Sequence, residues 1–174
     1  MSRAVLSLGS NMGDRFEHLR SATEALEDAL LVASDVYESP PWGDPDQPAY
    51  LNAVLLVASD VPAAMWLERA QALERAAGRV RDPDRRYGPR PLDVDVIAVW
   101  EDDDRPVLRD DPELTLPHPR AHLRAFVLRP WLDVAPYAEL PGFGRVADLL
   151  NQEPAVSDLA GLVPQPDLDL NAKT

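Results

Sequence analysis

"YLNAVLLVAS", residues 50–59, is apolar on either side of any strand it could form. A strand with one wet face alternates polar and apolar residues, whereas a strand covered on both faces does not. The segment therefore reads as a central strand, and the rest of the chain can be placed around it. Just before it, "PPWGDPDQPA" (40–49) holds four prolines and one glycine, which neither a helix nor an interior strand accommodates. Further upstream, "LVASDVYES" (31–39) reads as one strand and "RAVLSLG" (3–9) as another. Between these two, "NMGDRFEHLRSATEALEDAL" (11–30) reads as an amphipathic helix with Phe16, Leu19, Thr23, Leu26 and Leu30 on one side. Asp14 and Glu17 have capping-box spacing at its start.

Downstream, "DVPAAMWLERAQALERAAG" (60–78) predicts a second helix, with Pro62 near its start and Gly78 placed to end it. "LDVDVIAVW" (92–100) predicts a fourth strand. The order βαββαβ is that of an α+β, ferredoxin-like core: an antiparallel sheet with both helices on one face. Beyond the core, "EDDDRP" (101–106) reads as a hairpin or loop, "HPRAHLRAFVLRPWLDVAP" (118–136) holds a third helix and "GRVADLLNQ" (144–152) a short fourth. Residues 1–162 are expected to form one domain. Residues 163–174, polar and proline-bearing, are expected to be disordered.

Composition narrows the function classes. The chain has 174 residues, 45% of them hydrophobic, enough for one sizeable core. It has no cysteine, which excludes a disulfide framework, a thiolate metal site and a cysteine nucleophile. The first residues lack the apolar core of a signal peptide, and no window approaches the roughly 18 apolar residues that span a bilayer, so a cytoplasmic protein is expected. A net charge of −13 argues against nucleic acid and anionic membranes as partners. Against that background, six of the seventeen Lys and Arg residues fall between Arg75 and Arg90, and all six are arginine. A planar guanidinium binds phosphate oxygens in a bidentate way, so the cluster points to a small polyanion; a solvated helix end and loop is the simpler alternative.

The sharpest motif is "RRYGPRPLDVDVIAVW" (85–100), in which Asp93 and Asp95 stand at i and i+2 of a strand and so share a face. Two carboxylates that close repel, and a divalent cation, an arginine or open water must offset the repulsion. Carboxylates for a hard cation beside arginines for phosphate oxygens form the combination used in phosphoryl transfer. A charged strand end in water is the alternative. In the proline loop, Trp42 and Tyr50 could sandwich a flat ligand while the Asn52 amide reads its edge; they could equally cap the sheet. Gln71 and Glu74 share a helical face beside the arginine loop. His118, between two prolines, is expected to be fixed and exposed. The three histidines show no metal-ligand spacing.

Together these stretches resemble the 6-hydroxymethyl-7,8-dihydropterin pyrophosphokinase family, from about Val5 to Leu150. "LSLGSNMGDR" is similar to its opening strand and loop, "YESPPWGDPDQPAYLNAV" to its pterin loop, "GRVRDPDRRYGPRPLDVDVI" to its signature segment and "LTLPHPRAHLRAFVLRPWLDVAP" to its late nucleotide-binding stretch. The resemblance implies transfer of the β,γ-pyrophosphate of ATP to a pterin alcohol, releasing AMP, in folate biosynthesis. It implies two Mg2+ ions on Asp93 and Asp95, with ATP as co-substrate, and a pterin pocket of Ser39, Pro40, Trp42, Tyr50, Asn52 and Phe126. It places Gln71, Glu74, Arg81, Arg86, Tyr87, Val96, Thr115, His118 and Arg124 toward the nucleotide, and gives Arg79 and Arg90 a part in transfer. A monomer is expected.

Three departures stand out. Tyr87 replaces a common tryptophan, Glu113 stands where an arginine is common with Arg109 and Arg120 as candidates to replace it, and the arginine loop is one residue longer. Two other readings compete. A nucleotidyltransferase also joins Gly-Ser (Gly9-Ser10 here) to Asp-x-Asp, but there the aspartates follow in the next strand. A noncatalytic ferredoxin-like module, sensing a ligand or binding RNA, would leave the paired aspartates without a use, and RNA binding would also want exposed aromatics and a basic surface.

Overall fold

The computed structural model describes residues 1–79, 83–85, 87–172. In chain order its elements are β1 (Ser2–Ser10), α1 (Arg15–Ala25), β2 (Leu30–Ala33), β3 (Tyr37–Ser39), β4 (Tyr50–Ser59), α2 (Ala63–Ala76) and β5 (Asp93–Glu101). Short elements follow: β6 (Arg105–Pro106), β7 (Arg109–Asp110), β8 (Thr115–Leu116), then α3 (Ala125–Val134), β9 (Glu139–Leu140), β10 (Gly144–Arg145), α4 (Val146–Leu149), α5 (Ala155–Asp158) and β11 (Val163–Pro164). The main sheet runs β11-β3-β4-β1-β5-β6, with β2 also on β4, and every pairing in it is antiparallel.

The doubly apolar β4 sits where its composition demands. Ala53, Leu55 and Val57 face a core built with α1 and α2, including Leu19, Leu26, Trp66 and Ala70. Val54 faces a second core with Val127, Leu128 and Trp131 of α3 and Val146 and Leu149 of α4. Helices thus cover both faces of the sheet, α1 and α2 on one and α3 with α4 on the other. Trp66 is fully buried, and its indole N–H is satisfied by Ser2 Oγ at 2.9 Å.

Several local expectations needed correction. The first helix ends at Ala25 and gives way to a turn, although Leu26 and Ala29 still enter the core. Asp14 caps it as expected, accepting from the Glu17 N–H at 3.1 Å. "LVASDVYES" is two strands, because Ser34 turns its hydroxyl to accept from Val54 N at 2.8 Å in place of a ladder carbonyl. Residues 163–172 are ordered, contrary to the expectation of a disordered tail: β11 pairs with β3, and Leu170 is 6% exposed in the first core. The polar composition concealed two well-spaced leucines, Leu168 and Leu170, that find apolar neighbours there.

Candidate functional site

The strand register lays out the site. Tyr37 pairs with Asn52, Asn52 with Gly9 and Gly9 with Asp93, so one row crosses β3, β4, β1 and β5. Directly paired residues share a face, and two residues on Asp95 stands across from Ser7. A carboxylate pair and a buried carboxamide therefore lie at one level of the sheet, with a glycine between them. A Cβ at Gly9 would come within 3.3 Å of Tyr50 Cδ1 and 3.6 Å of Asn52 Oδ1, so the missing side chain leaves the floor open. Above this floor is a cleft of about 840 Å³ that continues around the β5 edge to α2.

Every described residue that the resemblance assigns to the pterin, the nucleotide, the metal or the transfer lines this cleft. Ser39, Pro40, Trp42, Tyr50, Asn52 and Phe126 gather on the β3–β4 side, while Gln71, Glu74, Arg79, Tyr87, Arg90, Val96, Thr115 and His118 surround the aspartates. Arg81 and Arg86 lie outside the described residues. Of the two arginines considered as replacements at Glu113, Arg120 lines the cleft, its guanidinium 5.9 Å from the Tyr87 ring centroid, whereas Arg109 pairs with Asp111 at 2.7 Å.

Asn52, 2% exposed, is held by β3: its Nδ2 donates to Ser39 Oγ at 2.7 Å and to Tyr37 O at 3.3 Å. Both donors are thereby used, so a ligand would meet its Oδ1 acceptor rather than the donor and acceptor together. Asp93 accepts from Arg79 Nη1 at 2.7 Å and lies 3.4 Å from Arg90 Nη1. Burial raises the Asp93 pKa, but the charges of Arg90 and Arg79 outweigh it and hold the group below the usual carboxylate range. Asp95 goes the other way. Burial and then the Asp93 charge lift it well above that range, with Arg124 at 3.4 Å as a partial counterweight. Glu74 lines the cleft from a buried position, 5% exposed; it accepts from the edge N–H of Val94 at 3.1 Å and from Arg79.

His118 is half-buried rather than exposed, with Nε2 4.0 Å from Asp95 Oδ2 and Nδ1 accepting from Arg120 N at 3.1 Å. Burial, then the Arg124 charge, lowers its pKa to about 4, so the neutral tautomer with the proton on Nε2 fits the geometry. Arg124 is the N-cap of α3 and 7% exposed; it sits with its guanidinium among aromatic rings, 4.6 Å from the Trp42 centroid and 5.5 Å from the Phe126 centroid.

Sequence reasoning missed the residues that tie the two loops together. Asn11 accepts from Arg90 N at 2.8 Å and donates to Gln47 Oε1 at 2.8 Å and Pro48 O at 3.1 Å, while Gln47 donates to Tyr87 O at 2.6 Å. An asparagine just after a buried strand was the available signal, and its partners lie 36 or more residues away.

Comparison with known proteins bears on this arrangement. The model of the 7,8-dihydro-6-hydroxymethylpterin-pyrophosphokinase (HPPK) family matches residues 5–136. The chain belongs to this family. A 2-amino-4-hydroxy-6-hydroxymethyldihydropteridine pyrophosphokinase of Mycobacterium tuberculosis (strain CDC 1551 / Oshkosh) is 49% identical over 184 residues, 99% of this chain and 95% of the relative. The Pseudomonas aeruginosa protein of the same name is 36% identical over 154 residues, 86% of this chain and 91% of that one. Among solved structures, Plasmodium falciparum HPPK-DHPS wild type with STZ-DHP gives a TM-score of 0.59 at 14% identity over 86% of this chain. An HPPK-DHPS in complex with substrates gives 0.60 at 12% identity over 86% of this chain. The present chain spans 43% and 44% of those two longer chains, and at such identity the likeness speaks for the fold alone.

Proposed function

We propose that this cleft carries the family's reaction, with the pterin on the β3–β4 side and ATP along the β5 edge. Membership in the HPPK family makes the chain a pyrophosphokinase of folate biosynthesis, moving the β,γ-pyrophosphate of ATP to 6-hydroxymethyl-7,8-dihydropterin with release of AMP. The observation that carries the placement is the row Asn52–Gly9–Asp93: a reader for a flat polar edge and a phosphate-side carboxylate stand on one level with open floor between them. The sheet order β5-β1-β4-β3, with α1 and α2 on one face, supports the ferredoxin-like reading of the core.

In this reading Asn52 Oδ1 accepts from the pterin edge, and Phe126, Tyr50 and Trp42 supply aromatic faces. The Arg79 and Arg90 guanidiniums lie beside Asp93, where they can turn to the migrating phosphates. The pterin hydroxyl oxygen bonds to the β-phosphorus, the bond from that phosphorus to the α-bridging oxygen breaks, AMP leaves with the electron pair and the hydroxyl proton passes to water. Among the described residues no group of three or more His, Cys, Asp or Glu could hold a metal alone. Two same-face carboxylates, one of them under-compensated, fit Mg2+ that arrives with the nucleotide, Asp93 and Asp95 giving hard oxygen ligands and phosphates and water the rest. Bound there, the two ions would neutralise phosphate charge as it develops on the departing AMP oxygen. Gln71, Glu74, Arg81, Arg86, Tyr87, Val96, Thr115, His118 and Arg124 complete the nucleotide side of the proposal. A cytoplasmic monomer is part of the same proposal; no described helix is long and apolar enough to cross a membrane.

A pair of substitutions tests the division of the cleft. Asn52→Leu should weaken pterin binding by roughly 1–3 kcal/mol and leave nucleotide binding unchanged. Asp95→Asn should keep the fold and lower turnover by orders of magnitude. Equal loss of both ligands in the first variant, or near-parental turnover in the second, would contradict the placement.

A further inference from the structure

We infer that residues 163–172 form a strap that fixes the pterin wall of the cleft, an inference that rests on the placement of the pterin at Asn52. The wall depends on β3, a strand of three residues that provides both acceptors, Tyr37 O and Ser39 Oγ, for the Asn52 carboxamide. A strand this short at a sheet edge frays unless its outer side is paired. Here that side is covered. Val163 pairs with Glu38 and Pro164 with Tyr37, and Gln165 N donates to Val36 O at 2.8 Å.

The strap is anchored at both ends. Before it, Leu159 and Leu162 pack on the α3 core, and a Cβ at Gly161 would come within 3.3 Å of Pro40 Cδ and Cγ, so this backbone lies directly against the lip of the cleft. At the other end, Leu168 and Leu170 enter the core on the opposite face. Asn171 then closes on the backbone of Ala33: Oδ1 accepts from Ala33 N at 3.0 Å and Nδ2 donates to Ala33 O at 2.9 Å, the pair of bonds a neighbouring strand would make. Among the described residues, the strap's hydrogen bonds to the rest of the chain all run to residues 33–38, on β2, β3 and the turn between them. Breaking these hydrogen bonds while Leu168 and Leu170 keep their apolar contacts therefore releases the pterin wall first and leaves α2 and the aspartate end of β5 in place.

The test compares the parent with a chain carrying both Gln165→Pro and Asn171→Ala, and with a chain ending at Leu162. Calorimetry measures binding of 6-hydroxymethyl-7,8-dihydropterin in the presence of Mg2+ and a non-hydrolysable ATP analogue, and binding of the analogue by itself. Hydrogen–deuterium exchange follows the backbone amides of residues 36–39. We expect the pterin Kd to rise at least tenfold, the analogue Kd to stay within twofold and exchange at 36–39 to accelerate. A folded double variant with pterin Kd within twofold of the parent, or with unchanged exchange at 36–39, overturns the inference. If the shortened chain does not fold, the double variant decides. If the parent itself binds no pterin, the placement of the pterin fails, and exchange at 36–39 still reads whether the strap holds β3.

Discussion

The guanidinium of Arg124 stands 4.6 Å from the centroid of the Trp42 ring, and Phe126 lies on it at 5.5 Å. In the proposed arrangement these rings belong to the pterin, so the arginine and the pterin compete for the same aromatic faces. Among the described residues its buried Nε has no hydrogen-bond partner, and burial lowers its pKa, so the position is a poorly solvated one for a cation. Phosphate oxygens next to Asp95 would offer a better partner.

Arg124→Ala should therefore separate two quantities. Pterin binding without nucleotide should tighten, by about tenfold if displacing the arginine costs on the order of 1–2 kcal/mol. Turnover with ATP should fall at least a hundredfold. Fluorescence titration of the pterin against the nucleotide-free variant measures the first, and weaker binding would show that Arg124 supports the aromatic slot instead of filling it.

Gly9 gives a prediction that needs no charge. Adding one methyl group sets it 3.3 Å from the Tyr50 ring and 3.6 Å from Asn52 Oδ1, so the ring must give by a few tenths of an ångström. Gly9→Ala should fold and weaken pterin binding several-fold, and Gly9→Val, with two further methyls over the same floor, should abolish it. Melting temperature and pterin Kd measured together distinguish this from general destabilisation: a fall in stability with pterin affinity intact would rule out Gly9 as the floor.

His118 sets a pH dependence. Its folded pKa, about 4, lies below the ordinary value of 6.5 because burial disfavours the imidazolium. The unfolded chain thus takes up a proton before the folded one does, so the stability from burying neutral His118 is complete above pH 6.5 and is lost as pH falls toward 4. Between pH 7 and pH 5 the His118 share of that loss should be about 2 kcal/mol. It is opposed by Asp95, whose raised pKa makes the folded chain take up a proton in the same range, so it is read in urea unfolding without metal or nucleotide as the difference between the parent and His118→Gln. His118→Gln should gain stability relative to the parent by that amount as pH falls from 7 to 5; identical slopes in the two proteins would mean that His118 does not carry the effect.

Much of this arrangement is legible in the sequence. The unalternating run at 50–59 gives the central strand, and the i, i+2 spacing of Asp93 and Asp95 gives their shared face. What stayed hidden depends on partners far along the chain. Nothing local in "LVASDVYES" shows that Ser34 will replace a ladder carbonyl for Val54, and Asn11 finds Gln47 and Arg90 only once three loops converge. His118 reads as exposed because flanking prolines mark a loop, but its N–H bonds to Ile97 O at 2.7 Å and draws the ring in beside β5. The strap is the clearest case. Its composition is that of a disordered segment, and it orders because the outer edge of β2 and β3 and an apolar recess for Leu168 and Leu170 are waiting for it.

The most direct test of the whole account is the identity of the nucleotide left behind. Chromatography of a reaction containing this protein, ATP, Mg2+ and 6-hydroxymethyl-7,8-dihydropterin should show AMP and the pterin diphosphate forming in equal amounts, since attack on the β-phosphorus moves both outer phosphates together. Accumulation of ADP would mean attack on the γ-phosphorus, and free pyrophosphate with an adenylylated pterin would mean attack on the α-phosphorus; either result contradicts it.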